Sequence, residues 1–350
     1  MKLFVPGRLC LFGEHSDWAG SYRRLNRQLE KGYAIITGTN QGLYAEVKPH
    51  PTHLILHASL SDGTPPEVIE LPMEREVLLT EARRGGFFSY AAGVAYQFLS
   101  YFQVGGLEID NYQTDLPVQK GLASSATICV LAARAFNQLY DLKMTLRGEM
   151  EYAYLGEIAT PSLCGRMDQA CAYGSQPILM IFDGDRIDII ELKVPNDLFF
   201  VMVDLGASKN TRQILSQLNQ CYPFATDTVQ KNVQNYLGAI SSKITQEAVD
   251  ALQQGNAEQL GTLMKKAQAE FDRYLIPACP GQLKAPVLHQ LLNYEPIQPY
   301  IWGGKGVGSQ GDGTAQFIVK DKTSQQKVIR LIKRDFPQMQ PLTLTIHADS

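Results

Sequence analysis

Residues 117–127 read PVQKGLASSAT and run directly into ICVLAARAFNQLYDL, a segment with the apolar spacing of a helix. A helix start is served by one capping hydroxyl. Here Gly121, Ala123, Ser124 and Ser125 crowd ahead of it, so small side chains gather where the backbone turns into the helix. A glycine turn that opens a helix offers unsatisfied backbone N–H groups and the positive end of the helix dipole, a combination that binds phosphate. The hydroxyl of Ser124 or Ser125 could reach a Mg2+ ion at the same place. The stretch is neither G-x-x-x-x-G-K-[ST] nor G-x-G-x-x-G. The same residues also make a tight, well-capped helix start.

At 350 residues the chain is long enough for two domains or one large one. A hydrophobic content of 45% with 19% charged residues is ordinary for a globular protein. A net charge of -3 gives no reason to expect nucleic acid or an anionic membrane as a partner. The six cysteines (Cys10, Cys129, Cys164, Cys171, Cys221 and Cys279) show no C-x-x-C spacing, and several lie in apolar runs. That points to reduced thiols and away from disulfides or structural zinc. The opening MKLFVPGRLCLFGEH breaks its short apolar run with Pro6, Gly7 and Arg8, unlike a secretory signal. No run approaches the roughly 18 apolar residues of a membrane span. The expectation is a cytoplasmic protein.

Alternating GLYAEVKP (42–49) and THLILHAS (52–59) read as strands, and GFFSYAAGVAYQFLSY (86–101) reads as a helix. GGLEIDNYQTDLP returns to an extended pattern before the glycine turn. Helical spacing follows over 124–141 and 145–160, then strand-like PILMIFDGDRIDIIEL (177–192). A break at KVPND (193–197) suggests a boundary between residues 1–195 and 196–350. Beyond it come a buried strand, LFFVMVDLG (198–206), and helices near 226–242, 245–254 and 256–274. A glycine-rich turn feeding a strand (302–320), an amphipathic helix (325–336) and a last strand (341–348) complete the chain. Strands and helices mix without a regular βαβ repeat, so the fold class is α+β.

Two further stretches concentrate polar chemistry. PGRLCLFGEHSDWAG (6–20) places Arg8, Glu14, His15 and Asp17 close together. Carboxylates and a histidine in a turn can hold several hydroxyls of a polyol in fixed geometry; a solvated polar loop is the alternative. EIATPSLCGRMDQACAYG (157–174) puts Glu157 on a helix and Asp168 among apolar and small residues. A carboxylate beside Arg8 could accept or orient a hydroxyl proton, and Glu157 could join a serine and phosphate oxygens around Mg2+. A single Asp in such a turn also serves as a helix cap.

Taken in order, these stretches resemble the GHMP kinase superfamily, named for galactokinase, homoserine, mevalonate and phosphomevalonate kinases. PGRLCLFGEHSDWAG resembles its first motif in the galactokinase-type form, P-G-R-x-x-x-x-G-E-H-x-D-[YW]. PVQKGLASSAT resembles the second, P-x-x-x-G-L-x-S-S-[AS]. GGKGVGSQGDG (303–313) sits where the third, glycine-rich motif belongs, and CGRMDQ (164–169) resembles the C-G-x-M-D-Q that carries the family's catalytic aspartate. The likeness spans nearly the whole chain.

That resemblance implies two domains, the first like ribosomal protein S5 domain 2 and the second ferredoxin-like, with the active site between them. It implies ATP and Mg2+ as cofactors and a small-molecule sugar as acceptor, in a monomer or homodimer. Pro117, Lys120, Gly121, Leu122, Ala123, Ser124, Ser125 and Ala126 would cradle the ATP phosphates. Ser125 and Glu157 would hold the metal. Asp168 would be the base or electrostatic partner of the acceptor hydroxyl, and Arg8 would lie beside it near the γ-phosphate. Glu14, His15 and Asp17, with Gly165 and Asp168, would hold the sugar. The implied activity is an ATP-dependent sugar kinase acting at the anomeric position. A kinase for an acidic or phosphorylated sugar is an alternative, as is a non-catalytic sensor of the same fold. The presence of Arg8, Ser125, Glu157 and Asp168 together favours catalysis.

Some features depart from the family pattern. The segment SYRRLNRQLEKGYAIITG is longer and more basic than the N-G-G run usual after the first motif. Its Arg23, Arg24, Arg27 and Lys31 form a solvated face or meet an acidic group on the substrate. The third motif keeps Gly306, Gly308, Gly311 and Gly313 but adds Ser309, Gln310 and Asp312; Asp312 would repel phosphate unless it points away or toward a cation. In DLGASKNTRQIL (204–215), Ser208, Asn210 and Thr211 are candidate substrate contacts, or Asn210 or Thr211 is a helix cap. Trp18 stacks on a sugar face or belongs to the core.

Overall fold

The computed structural model describes residues 1–58, 67–116, 124–162 and 164–349. In chain order the elements begin with β1 (Lys2–Phe12), α1 (Ser16–Ser21), β2 (Gly32–His50), β3 (His53–Ala58), β4 (Glu67–Pro72), α2 (Arg75–Arg84), α3 (Phe87–Tyr101), β5 (Gly106–Thr114), α4 (Ser124–Leu139) and α5 (Leu146–Ile158). Next come β6 (Ile178–Asp183), β7 (Arg186–Glu191), β8 (Leu198–Asp204), α6 (Thr211–Asn219), α7 (Thr228–Asn235), α8 (Ser241–Gln253) and α9 (Ala257–Leu275). The chain closes with α10 (Pro280–Leu283), α11 (Pro286–Leu292), β9 (Ile301–Gly306), β10 (Thr314–Val319), α12 (Lys322–Asp335) and β11 (Gln340–Ile346). Two compact units result, and the division falls within β1, within β2 and between Ser175 and Gln176, ahead of the expected boundary at 193–197.

The first unit comprises Met1–Arg8 and Thr37–Ser175. Within it β2 pairs antiparallel with β5, β5 parallel with β3 and β3 antiparallel with β4, and β1 pairs with β2. Alternate residues of β3 (Leu54, Leu56 and Ala58) are buried, which gives this sheet an apolar face. Helices α3 and α4 reach the sheet at β3 and β5. Helices α3 and α5 pack backbone against backbone. A Cβ on Gly93 would lie 2.2 Å from the Gly156 carbonyl oxygen, and one on Gly156 would lie 2.4 Å from Val94 Cγ2. Glycine alone allows that approach, and it sets the neighbouring Glu157 in the interior. Arg134 of α4 is bonded to Glu149 of α5 (Nε to Oε2, 2.9 Å) and donates to the Ala172 carbonyl (2.6 Å), so two helices hold the turn that follows Asp168.

The second unit comprises Leu9–Ile36 and Gln176–Ser350. Its sheet runs β11-β8-β10-β9 with every pairing antiparallel. Counted along the chain that order is fourth, first, third, second, the βαββαβ arrangement of a ferredoxin-like layer. Helix α12 covers β8, β10 and β11 with Val328, Leu331 and Ile332, and α9 lies on β9. A hairpin of β6 and β7, turning at Gly184 (φ +67°), pairs with Gly32–Ile36 of β2. Asn210, Asp227, Asn256 and Asp321 cap α6, α7, α9 and α12 by accepting from the amide three residues on.

The α+β class and most element positions agree with the sequence reading. The strand-like stretch 177–192 is a hairpin. The helices expected at 226–242 and 245–254 run on from α7 into α8 through a π turn at Tyr236–Ile240. Helix α2 was not anticipated. No helix among the described residues is long and apolar enough to cross a membrane.

Candidate active site

In the first unit, β1 carries Arg8 into the interior, where its Nη2 donates to Asp168 Oδ1. Asp168 opens a 3-10 helix, Asp168–Tyr173, and keeps 22% of its side chain exposed. The ion pair orients the carboxylate while leaving it accessible. Thr127 Oγ1 donates to the Pro6 carbonyl (3.3 Å), which ties the first turn of α4 to β1 two residues before Arg8.

Glu157, near the end of α5, is fully buried. Its carboxylate accepts from Gln169 Nε2 (2.7 Å) and Ser162 Oγ (3.1 Å), and the Ser125 hydroxyl is hydrogen-bonded to it. Burial pushes its carboxyl above the ordinary value, helped by the negative charge of Asp168, while the three hydrogen bonds pull the other way. Ser125 also bonds to Tyr90, whose phenol burial likewise raises. So α4, the segment after α5 and the 3-10 helix each send a polar side chain to the one carboxylate that α5 carries. Among the described residues no cluster of three or more acidic, histidine or cysteine side chains could hold a metal. One carboxylate with one hydroxyl suits Mg2+, which keeps water and substrate phosphates as its other ligands. A cation there would also relieve the cost of the buried negative charge.

Ser124 and Ser125 are half-buried and Ala126 is buried in the first turn of α4. Gly165 is half-buried three residues before Asp168. Pro117, Lys120, Gly121, Leu122 and Ala123 lie outside the described residues. Gln169 and Ser162 were missed by the sequence reading. Gln169 was legible as the last residue of CGRMDQ, but its partner was not.

In the second unit, β1 ends in a turn that requires glycine: Gly13 has φ +87°, and a Cβ there would lie 1.9 Å from the Tyr33 carbonyl oxygen. His15 takes φ +68°, left-handed backbone that a non-glycine residue adopts only under constraint. Ser16 N donates to the Gly13 carbonyl (3.2 Å) and Ala19 N to that of His15 (3.1 Å), which hold the turn. Glu14, His15 and Asp17 are all buried, so the solvated-loop alternative does not hold.

Glu14 forms an ion pair with Lys305 Nζ, which also donates to the Gly306 carbonyl (2.9 Å). Lys305 is 1% exposed. The sequence reading passed over it, although a lone cation inside IWGGKG was the available signal. His15 Nδ1 accepts from Trp18 Nε1 (3.1 Å), and its ring stacks on Phe271 with centroids 6.2 Å apart. Burial, then the charge of Lys209, lowers its pKa to about 4 against a raising effect of the Ser309 backbone, so the ring is neutral at pH 7. Trp18 is half-buried, meets Tyr222 edge-on (5.3 Å) and packs against a buried cluster that includes Leu218 and Phe271, as its core reading expects.

The departures from the family pattern also resolve. Arg23 Nε (2.6 Å) and Lys31 Nζ (3.0 Å) both bind Asp183 at the end of β6, and their hydrogen bonds lower its pKa. Arg24 pairs with Asp185 in the hairpin turn, and Arg27 is exposed. The basic segment thus fastens the hairpin. Asp312 points at α11, accepting from Leu288 N (2.8 Å), and this disposes of the repulsion expected of it. Asn210 is the cap of α6, and Thr211 Oγ1 lies 3.2 Å from Ser309 Oγ. Ser208 is exposed.

Residues 89–175 match the GHMP kinases N terminal domain, a span holding Ser125, Glu157 and Asp168. The chain is similar to the galactokinase of Thermococcus kodakarensis, 23% identical over 296 residues that cover 77% of each chain. Its fold is similar to that of Lactococcus lactis galactokinase complexed with galactose, with a TM-score of 0.71 at 16% identity, covering 99% of this chain and 93% of that one. It is equally similar to Methanococcus jannaschii mevalonate kinase, with a TM-score of 0.71 at 17% identity, covering 100% and 98%.

Proposed function

We propose that this chain, a galactokinase-like member of the GHMP kinase superfamily, transfers the γ-phosphate of ATP to a sugar hydroxyl, the one at the anomeric carbon. The observation that carries the reading is the meeting of Arg8 with Asp168 beside the Ser125–Glu157–Gln169 network, four elements of the first unit converging on two carboxylates.

Phosphoryl transfer asks for in-line positioning and for positive charge over the spreading negative charge. Asp168, oriented by Arg8, takes or orients the proton of the acceptor hydroxyl. Arg8 places its guanidinium charge beside the reacting groups. Residues 117–126 cradle the phosphates, with Ser124, Ser125 and Ala126 opening α4 so that its first amides face them. Ser125 and Glu157 are the residues suited to hold Mg2+, whose charge would offset that of the phosphates. In the second unit, Glu14, His15 and Asp17 serve as sugar ligands, Glu14 already oriented by Lys305.

A coupled ADP-release assay with Mg-ATP over a panel of neutral sugars, uronates and sugar phosphates tests this, with Asp168→Asn as the blank. Turnover of a neutral sugar, lost in the variant, is expected. Turnover confined to uronates or sugar phosphates would change the acceptor class. Binding of sugar or ATP without turnover would make the protein a sensor and refute the kinase reading.

A further inference from the structure

We propose that Trp18 is a positioning residue that fixes His15 as its Nε2–H tautomer, so that the ring donates a hydrogen bond to an oxygen of the acceptor. This rests on His15 being a sugar ligand, as proposed above.

An indole N–H can only donate. Nδ1 of His15, 3.1 Å from Trp18 Nε1, therefore carries the lone pair, and a neutral ring then bears its proton on Nε2. The neutral state agrees with the lowered pKa of this histidine. The other freedoms of the residue are also removed. Its backbone is left-handed, its carbonyl accepts from Ala19 N, its ring lies on Phe271, and it is 5% exposed. The indole is held in turn, edge-on to Tyr222 (5.3 Å) and to Tyr22 (6.4 Å), and Tyr22 is anchored through its hydroxyl to Asn219 Oδ1 (3.0 Å).

Nε2 is what remains. It is buried and has no partner of full hydrogen-bond geometry among the described residues, although the Ser309 backbone acts on the ring as a hydrogen-bond acceptor and raises its pKa. A buried N–H without an acceptor is costly and is retained where a ligand supplies one. The tautomer decides what that ligand must offer. With the proton on Nε2, the site selects an oxygen presenting a lone pair; with it on Nδ1, the same site would select a hydroxyl proton.

The test uses the full chain labelled with 15N-histidine, the His15 signals being assigned with His15→Gln. The wild-type ring is expected to show a protonated Nε2 and a bare Nδ1. Trp18→Phe keeps an aromatic side chain but loses the N–H, so the second tautomer becomes populated. The KM for the sugar rises about five-fold, the loss of one hydrogen bond, and the KM for ATP stays put. Tyr222→Leu loosens the same aromatic cluster but keeps the indole N–H, so it lowers Tm and preserves the tautomer. A protonated Nδ1 in the wild type overturns the assignment, as does a spectrum unchanged in Trp18→Phe or a tautomer shift in Tyr222→Leu equal to that of Trp18→Phe. A tautomer that changes without any change in sugar KM also overturns it, because His15 then does not meet the acceptor. Should Trp18→Phe fail to fold, the wild-type spectrum decides. Absence of turnover on any sugar by the wild type refutes the kinase reading instead, and the spectrum still judges the tautomer.

Discussion

Replacing Lys305 with Met probes the ion pair on which Glu14 depends. Lys305 is 1% exposed and Glu14 7%, and Nζ lies 6.0 Å from the centre of the Phe12 ring. Taking away the lysine removes the cation paired with a buried carboxylate, at a cost of about 3–5 kcal/mol. For a domain of this size each kcal/mol is worth about 2–4 °C, so the second unit should melt roughly 6–20 °C lower. Both tryptophans of the chain, Trp18 and Trp302, belong to that unit, so their fluorescence in urea titrations reports its unfolding. The deficit should depend on pH. Burial pushes a carboxyl without its partner upward, and a raised native pKa means stability is lost as pH rises through the window above the unfolded value. The deficit is therefore full at pH 7 and shrinks toward pH 4. Glu14→Gln combined with Lys305→Met removes both charges and should recover all but about 1 kcal/mol. A loss below about 1 kcal/mol in Lys305→Met, or a double variant as unstable as the sum of the single ones, would refute the reasoning.

Because burial raises the Glu157 carboxyl, the nucleotide-free native state holds its proton above the usual 4.5 and stability falls as pH climbs through that window. Glu157→Gln should abolish this slope and raise the Mg2+ concentration needed for half-maximal activity; an unchanged slope in denaturant titrations would speak against the assignment. His15 titrates at about 4 when folded against 6.5 when unfolded, so its contribution is intact above pH 6.5 and fades as pH falls toward 4. That amounts to about 3 kcal/mol, to be read as a flatter pH–stability curve in His15→Gln. In the first unit, Gly93→Ala drives a Cβ to within 2.2 Å of the Gly156 carbonyl oxygen. It should cost about 1–3 kcal/mol by thermal unfolding, and kcat should fall with it because Glu157 is the next residue along α5; a neutral effect on both would show that the two helices can part cheaply.

Much of this protein is written locally. Strand alternation, helix spacing and the Asn210 cap operate within a few residues, so the reading placed most of the corresponding elements within a residue or two; α12 begins at Lys322, three residues before the expected 325, because Asp321 caps it. The chemistry-bearing types were legible for the same reason, because Arg8, Ser125, Glu157 and Asp168 lie in short motifs whose spacing is itself local. What each side chain meets was another matter. Arg8 finds Asp168 across 160 residues and Lys305 finds Glu14 across 291. Arg23 and Lys31, readable as a basic face for a ligand, bind Asp183 instead. Asp312 meets the amide of Leu288, and Trp18 turns its N–H to His15. Those pairings follow from strand register and helix packing, which bring distant segments to hydrogen-bond distance and exclude water from them. By itself the sequence determined which elements form and which functional groups are available; only the tertiary structure decided which of those groups are buried, and against which partner each charge and each N–H is matched.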